Sequence, residues 1–294
     1  MYYRRKIILG LLQIFNNKLE KINLQKLLFL TSRFQDKKDF SFVPYKYGCF
    51  SFQANADLKI MRNYNQIAET NNTWTKIDNT DYLIQLKAKD IQSLKNVRNL
   101  YGNMNSNELI KITYQKYPFY AINSSLAKDI LSNKEYEKVI ANTPRKESEM
   151  LFTIGYEGIS FEQYLNKLII NDIKVLCDVR RNAKSMKYGF SKKQLKNACE
   201  KIGIKYFHFP QVGIVSDQRK ELHSQSDYDK LFVQYKKTVI KNTVSIQNEL
   251  LNLLKYNKRI ALTCFEANIN QCHRKHLAEA ITKLPQFKYK LNHI

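Results

Sequence analysis

Residues 151–170 read LFTIGYEGISFEQYLNKLII, and this stretch indicates the fold class of the second half of the chain. The short apolar run over residues 151–156 predicts a buried strand. Ser160 followed three residues later by Gln163 is a capping box, which predicts that a helix begins there and continues to Ile170. A strand followed closely by a helix is the repeating unit of a parallel α/β sheet. The stretch therefore predicts the first unit of an α/β domain.

The alternation of strand and helix patterns continues toward the C-terminus. Three further apolar runs predict strands at residues 173–179, 204–209 and 259–264. Helical patterns lie between and after them, at residues 191–203, at about 227–254, and from an Asn270 cap to Pro285. Because strands that alternate with helices build a parallel sheet covered on both faces, residues 150–294 are predicted to form a Rossmann-like α/β domain with flanking helices.

The first part of the chain, residues 1–143, is predicted to be a mostly helical domain of winged-helix-like order. Two helical runs precede a third helix that Ser51 can begin and that ends near Asn63. Hairpin strands near residues 66–69 and 81–86 would follow, and then further helices. This order resembles a winged helix-turn-helix module, whose third helix enters the DNA major groove while the wing contacts the backbone. Contact with a protein partner is the alternative role of such a module.

The third helix of this predicted module has mixed charge. Lys59 and Arg62 suit contact with phosphate, but Asp57 in the same helix weakens its basic character. A polar stretch at residues 143–149 follows the helical part and is interpreted as a linker between two domains.

The charge of the chain predicts a polyanionic partner. There are 49 Lys and Arg against 26 Asp and Glu, which gives a formal net charge of +23, and both halves of the chain are basic. Such a balance favours nucleic acid, because each neutralised phosphate releases condensed counterions. We expect DNA rather than RNA as the partner and leave homodimer formation open. A lysine excess that reflects genome base composition is the alternative explanation.

Membrane-spanning and disulfide-stabilised classes are excluded by two features. No apolar run approaches the ~18–20 residues that cross a bilayer, since the longest early run, residues 7–15, is interrupted by Gln13. The five cysteines are odd in number and scattered, which agrees with a reducing compartment. We therefore expect a cytoplasmic protein that does not bind membranes and whose thiols are free.

Polar side chains follow each predicted strand of the second domain. In an open parallel sheet the ligand lies outside the carboxyl ends of the strands, so these loops are expected to form the site. The candidate catalytic residues in the loops are Asp178, Cys264, Glu266, Cys272 and His273. Asp178 and Glu266 could transfer protons, or could do no more than form ion pairs with nearby arginines.

Cys272 is predicted to be a reactive thiol. If Asn270 caps the last helix, Cys272 occupies its second position, where the helix dipole and the adjacent Arg274 lower the pKa of the thiol. Cys272 would then be a nucleophile or a redox thiol. Arg274 could equally bind a phosphate through two parallel hydrogen bonds.

Other interpretations of the cysteines stay open. A buried cysteine often packs as a small hydrophobic residue, and this is the expectation for Cys177 and Cys199. Zinc could bind Cys264, Cys272 and His273, with Cys177 as a further candidate ligand. However, seven residues separate Cys264 from Cys272, and a Cys-His pair does not match the usual spacing of structural zinc sites. No metal and no other cofactor are therefore predicted.

A basic loop follows the second predicted strand of this domain. Residues 180–193 hold six Lys and Arg, interleaved with aromatic residues, which suits a phosphate backbone with bases stacking nearby. A lysine loop that is merely solvated is the alternative. The residues predicted to bind phosphate or bases, here and in the neighbouring loops, are Tyr156, Arg180, Arg181, Lys187, Tyr188, Lys192, Lys193 and Arg274.

Five ordered motifs carry a resemblance to a known family. They are TIGYEG at 153–158, DVRR at 178–181, GFSKK at 189–193, HFPQVGI at 208–214, and CFE at 264–266 with CHR at 272–274. Together they resemble the domain-of-unknown-function family numbered 488, over about residues 151–280. The resemblance implies a bacterial protein of unassigned activity with a Rossmann-like fold and an association with DNA modification or phage defence. The motif positions it marks are Gly155, Tyr156, Asp178, Arg180, Cys264, Glu266, Cys272, His273 and Arg274.

The leading functional hypothesis is a DNA-binding protein whose second domain processes nucleic acid. It would cleave a glycosidic or phosphodiester bond at modified or foreign DNA, as a hydrolase or glycosylase, with Asp178 or Glu266 as acid or base and with Arg180 and Arg274 on phosphate. A base processed within a duplex would have to be flipped out of the stack, where Tyr156 or Tyr188 could stack on it.

Two alternatives from other classes stay open. One is a non-enzymatic transcriptional regulator whose second domain senses a nucleotide. The other is a thiol enzyme or redox sensor in which Cys272 attacks and Cys264 resolves the disulfide.

Overall fold

The computed structural model describes residues 1–219 and 222–294 and divides the chain into two units, Met1–Thr143 and Pro144–Ile294. Each unit buries its own apolar residues. No helix within the described residues has the length and apolar character needed to span a bilayer.

The first unit is helical with small antiparallel sheets. Its elements are α1 (Tyr3–Ile14), β1 (Lys18–Glu20), α2 (Lys21–Thr31), β2 (Val43–Tyr45), β3 (Gly48–Phe50), α3 (Phe52–Asn63), β4 (Ile67–Glu69), β5 (Thr73–Lys76), α4 (Ala88–Tyr101), α5 (Ser106–Lys116), α6 (Ala127–Ile130) and α7 (Asn133–Ala141). Strands β2 and β3 form a hairpin, and β1 pairs with β5 to give the three-stranded order β1-β5-β4.

The prediction for the first unit is confirmed for its third helix and wrong for one strand. Ser51 accepts a hydrogen bond from the Ala54 amide and α3 ends at Asn63, as predicted. The second hairpin strand is β5, and residues 81–86 hold a short 3₁₀ turn instead. The second strand lies immediately after the polar turn because Trp74, which is 3% exposed, is buried there and pairs opposite Leu19. The winged-helix resemblance itself stays a prediction.

The second unit is an α/β structure around one five-stranded sheet. Its elements are β6 (Met150–Gly155), α8 (Phe161–Ile170), β7 (Val175–Asp178), α9 (Lys192–Lys201), β8 (Lys205–His208), α10 (Gln225–Tyr235), α11 (Val244–Asn257), β9 (Arg259–Cys264), α12 (His273–Thr282) and β10 (Lys290–His293). The strand order is β10-β6-β9-β7-β8, and every adjacent pair is parallel. The predicted fold class, an α/β domain with a parallel sheet and flanking helices, is confirmed.

The register of this sheet aligns the carboxyl ends of four strands. Cys264 at the end of β9 pairs with Gly155 at the end of β6, and Thr263 pairs with Asp178 at the end of β7. Asp178 in turn pairs with His208 at the end of β8. The loops that follow these strands therefore leave the sheet at one edge.

Two local predictions in the second unit are wrong, and one strand was missed. The long helix predicted at about 227–254 continues from α10 as a π-helix over Lys236–Ile240 and breaks near Thr243 before α11. There the side chain of Gln247 donates a hydrogen bond to the Ile240 carbonyl and so replaces a helical partner. The last helix begins after Cys272, not after Asn270, because residues 269–271 form a separate 3₁₀ turn. Strand β10 was not predicted, since an edge strand of polar composition leaves no apolar run.

The capping box that predicted the start of α8 is present, and its removal is expected to lower the stability of the second unit. Ser160 accepts from the Gln163 amide, and the Gln163 side chain accepts from the Ser160 amide. We expect Ser160→Ala to lower the free energy of unfolding by about 1 kcal/mol in urea titrations followed by circular dichroism. Ser191→Ala is the matched control, because Ser191 precedes α9 without a side-chain cap bond. Equal losses in the two variants would contradict the assignment.

Candidate functional site

A pocket of about 240 Å³ lies where the strand ends of the second unit meet. Its floor and walls come from the loops after β6, β7 and β9, from the start of α12, and from one residue beyond β8. The lining residues are Tyr156, Arg180, Arg181, Asn182, Lys184, Ser185, Ile214, Cys264, Phe265 and His273.

Cys264 and His273 form a thiol–imidazole pair in this pocket. The Sγ atom of Cys264 lies 3.7 Å from Nδ1 of His273, and each residue is 1% exposed. The other ring nitrogen, Nε2, lies 2.9 Å from the carbonyl oxygen of Val179. Because a carbonyl can only accept, Nε2 carries a proton and Nδ1 is the ring nitrogen that faces the thiol.

Cys272 and Glu266 adjoin this pair. Oε2 of Glu266 lies 2.9 Å from the Cys272 Sγ atom and 3.1 Å from the Cys264 Sγ atom. Burial, together with the neighbouring Cys264 and Glu266, raises the pKa of the Cys272 thiol well above its usual value. The predicted lowering of this pKa is therefore wrong, because Cys272 precedes α12 and faces a carboxylate. Among the described residues that line the pocket, Cys264 is present and Cys272 is not.

Asp178 and Arg180 form a buried ion pair. The Arg180 Nε atom donates to Asp178 Oδ1 at 2.8 Å and Nη2 donates to Oδ2, which also accepts from the Tyr206 hydroxyl at 2.6 Å. Burial opposes the charge on Arg180, but the hydrogen bonds and charge of Asp178 outweigh it and raise the arginine pKa. With both carboxylate oxygens engaged and the residue fully buried, this geometry favours an orienting role for Asp178 over the predicted acid or base role.

Arg180 and Arg274 hold the loops of the site. Nη1 of Arg180 donates to the Tyr156 hydroxyl and to the Phe190 carbonyl oxygen. Arg274 is 2% exposed and donates to the carbonyl oxygens of Glu266 and Ala267. Both arginines were predicted to bind phosphate. The contacts place Arg180 at the pocket wall and Arg274 in support of the loop that carries Glu266, and phosphate binding by either residue stays a prediction.

The aromatic residues of the predicted nucleic-acid patch differ in accessibility. Tyr156 is 2% exposed and its ring stacks on Phe190, with centroids 4.1 Å apart. Its carbonyl oxygen accepts from Nζ of Lys187. Burial lowers the pKa of Lys187. Tyr188 is 37% exposed, so of the two tyrosines predicted to stack on a base it has the accessible ring.

A second, more open cavity of about 540 Å³ adjoins the pocket. The two cavities share Arg181, Asn182, Lys184 and Ser185. The second cavity extends to residues of β8 and the start of α9, and we call it the cationic groove. It is lined by Arg181, Asn182, Ala183, Lys184, Ser185, Ser191, Lys192, Lys193 and His208.

Several lining residues were not among the predicted site residues. Asn182, Lys184 and Ser185 belong to the basic loop, and their position within that loop was the available signal. Ile214 and Phe265 lie within the HFPQVGI and CFE motifs, but apolar residues next to a site resemble core residues and were not selected. Cys177 and Cys199 are fully buried in the core, as predicted.

The sheet and the pocket at its carboxyl edge define the second unit as a Rossmann-like α/β domain with a ligand-sized site. Comparison with protein families adds that residues 160–281 match the model described as "Domain of unknown function DUF488". The second unit therefore contains a DUF488 domain, and the match includes Asp178, Cys264, Cys272, His273 and Arg274. No curated protein matches the chain.

Proposed function

We propose that the DUF488 domain of this protein is a hydrolase that cleaves a bond in nucleic acid at the pocket of Cys264 and His273. One observation carries the proposal: a thiol–imidazole pair and the exposed cations Arg181 and Lys184 line the same pocket. The pocket shares four lining residues with the cationic groove, which suits a chain of phosphates. The net charge of +23 supports the same partner class.

The bond that we favour is a phosphodiester. Arg181 and Lys184 can neutralise a phosphate whose charge increases in the transition state. Cleavage of a glycosidic bond commonly uses two carboxylates that flank the bond. Asp178 is already engaged by Arg180, and Glu266 is then the carboxylate next to the pair. Release of a base without strand cleavage is accordingly the second outcome that an assay should detect.

The test of this function is an assay of the whole chain on DNA oligonucleotides with natural and modified bases. Gels run before and after alkali treatment separate strand cleavage from base release. We expect His273→Gln to lower the rate by roughly 10²–10⁴-fold, because the imidazole nitrogen that faces Cys264 is lost while an amide can still donate to the Val179 carbonyl.

His276→Gln is the matched control, since His276 lies on the same helix and pairs with Glu279 outside the pocket. Its rate should equal that of the unaltered chain. An unaltered chain that leaves every oligonucleotide intact, or equal losses in the two variants, would overturn the proposed function.

A separate prediction concerns the cationic groove. Replacing Lys192 and Lys193 by Ala should weaken DNA binding and reduce the slope of log affinity against log salt by up to about 2, near 0.9 for each lost phosphate contact. Lys196→Ala with Lys201→Ala is the control pair, because both lysines lie on α9 outside the groove. Fluorescence anisotropy at several salt concentrations measures the slope. An equal change in the two pairs would show that only net charge matters.

We also propose that the first unit binds duplex DNA through α3, as its winged-helix-like order suggests. Support comes from the position of Asp57, which is fully buried and accepts from Nε of Arg4 at 2.6 Å and Nε of Arg5 at 2.7 Å. Its charge is thus neutralised internally. Lys59 lies on the exposed part of the helix, and Arg62, also exposed, forms an ion pair with Glu69. The objection raised by the mixed charge of this helix is therefore weaker than the sequence suggested.

A thiol redox protein is the second candidate for the DUF488 domain, because the Sγ atoms of Cys264 and Cys272 lie within 4.8 Å of each other. In this role Cys264, which lines the pocket, would attack and Cys272 would resolve, the reverse of the predicted order. Oxidised glutathione would be reduced to two thiols as the disulfide forms. Mass spectrometry would detect the loss of two hydrogens from the protein, and a chain that stays fully reduced removes this candidate.

A further inference from the structure

We propose that Cys264, Cys272 and His273 bind one Zn²⁺ ion through two sulfur atoms and one ring nitrogen, with a fourth coordination position open to the pocket. The binding of the ion depends on the ligand geometry alone. Its catalytic role rests on the proposed function.

The three ligand atoms have the separation that such an ion requires. The two Sγ atoms and a ring nitrogen of His273 all lie within 4.8 Å of one another, and the Cys264 Sγ–His273 Nδ1 distance is 3.7 Å. With Zn–S bonds near 2.3 Å and Zn–N bonds near 2.0–2.1 Å, tetrahedral geometry places ligand atoms about 3.5–3.8 Å apart. Small side-chain adjustments would thus be enough to coordinate the ion.

The surroundings of His273 support this assignment. A histidine that binds a metal usually donates its other ring N–H to a carbonyl or carboxylate, which fixes the ring and leaves one lone pair for the ion. Nε2 of His273 donates to the Val179 carbonyl oxygen in this way, and Nδ1 faces the Cys264 Sγ atom. All three ligand residues are buried, so the site is preformed rather than assembled from mobile surface side chains.

Two cysteines and a histidine select the kind of metal. Thiolate and imidazole ligands suit Zn²⁺, whereas Mg²⁺ and Ca²⁺ prefer oxygen ligands. Two thiolates would also balance the charge of the ion within a buried site.

Adjacent residues can both be ligands here because of the local backbone. Cys272 has extended dihedral angles, φ −131° and ψ 131°, and His273 is the first residue of α12. The change of conformation between them brings both side chains to Cys264 at the end of β9. The seven residues between Cys264 and Cys272 do not match the spacing of structural zinc motifs. Those motifs are short segments of chain, whereas this site joins the end of a strand to the start of a helix.

The fourth position is assigned to the pocket because Cys264 and His273 line it. Three protein ligands with one open position are typical of catalytic zinc, while structural zinc usually has four protein ligands. A water molecule bound there would lose a proton to solvent and become hydroxide. The hydroxide oxygen would form a bond to phosphorus as the bond to the leaving sugar oxygen breaks, and that oxygen would take up a proton from solvent.

The experiment uses the full-length chain, stripped with a chelator under a phosphine reductant and then titrated with Zn²⁺ alone. We expect one zinc per chain by elemental analysis, and a Co²⁺-substituted protein with sulfur-to-metal charge-transfer absorption and tetrahedral d–d bands. Cys272→Ala should lower Zn²⁺ affinity by more than the roughly 10–100-fold that follows loss of an outer-shell contact.

Cys199→Ala is the matched control, because Cys199 is a buried cysteine of the same unit outside the cluster. It should keep one zinc per chain, and thermal unfolding of both variants checks that each is folded. Glu266→Gln should also keep one zinc, and loss of the ion in that variant would overturn the open fourth position.

The two proposals fail in different ways. A chain that binds neither Zn²⁺ nor Co²⁺ overturns the zinc site, and a chain that cleaves DNA at full rate after the metal is removed overturns the catalytic role of the ion. A chain that holds one zinc on these three ligands but leaves all nucleic acids intact keeps the zinc site and overturns the proposed function.

Discussion

Asp178→Asn is expected to lower the free energy of unfolding of the second unit by roughly 3–5 kcal/mol, since a buried ion pair would lose one of its partners. The Arg180 side chain is 5% exposed, so its charge would stay buried without a counter-charge. The hydroxyl of Tyr206 would lose a charged acceptor as well. Circular dichroism in urea and hydrogen exchange along β7 measure the loss. Fluorescence of Trp74, the single tryptophan, reports on the first unit and should not change.

Two further variants test whether the loss of stability comes from the buried ion pair or would follow the loss of any charge or hydrogen bond. Glu200→Gln removes a partner of the exposed Lys196–Glu200 pair, where the charges are 3.8 Å apart and about half exposed, and it should have little effect. Tyr206→Phe removes one hydrogen bond to Asp178 and keeps the ion pair, so it should cost about 1.5–3 kcal/mol. If Asp178→Asn costs no more than Glu200→Gln, the ion pair does not stabilise the unit.

Gly155→Ala is expected to disrupt the site although it adds only one methyl group. A Cβ atom at Gly155 would lie 2.0 Å from the carbonyl oxygen of Glu266 and 2.8 Å from its carbonyl carbon. These are backbone atoms of the loop between β9 and α12, so the loop would have to move. Overpacking of this kind costs about 1–3 kcal/mol of stability. A shift of about 1 Å in a reactive group can lower a rate by roughly 10²-fold.

Gly158→Ala provides the comparison for this effect. Gly158 has a φ of +75°, but no atom lies within 4 Å of an added Cβ, so the substitution costs only the left-handed backbone conformation, about 1–2 kcal/mol. Zinc stoichiometry and DNA cleavage are the discriminating measurements. Both should be lowered in Gly155→Ala and kept in Gly158→Ala. The same result in the two variants would contradict a role for the close approach of β6 to the Glu266 loop.

Much of the second unit could be predicted because its signals are local. The apolar run of β6, the Ser160–Gln163 capping box and the alternation of strand and helix need only neighbouring residues to be recognised. Where contacts between distant residues determine the local conformation, prediction from neighbouring residues failed. Cys272 was placed inside a helix because Asn270 is a good capping residue, but the chain forms a 3₁₀ turn first and buries Cys272 beside Glu266.

The sequence by itself determined the α/β class of the second unit, the loops that hold the site and the basic character of the chain, since periodicity, caps and charge are properties of adjacent residues. Only the tertiary structure decided that Asp178 neutralises Arg180, that Cys264 faces the pocket and that Cys264 meets Cys272 and His273. The physical reason is that strand order and register set distances across the sheet. These distances determine which charges and ligands meet, and no local pattern records them.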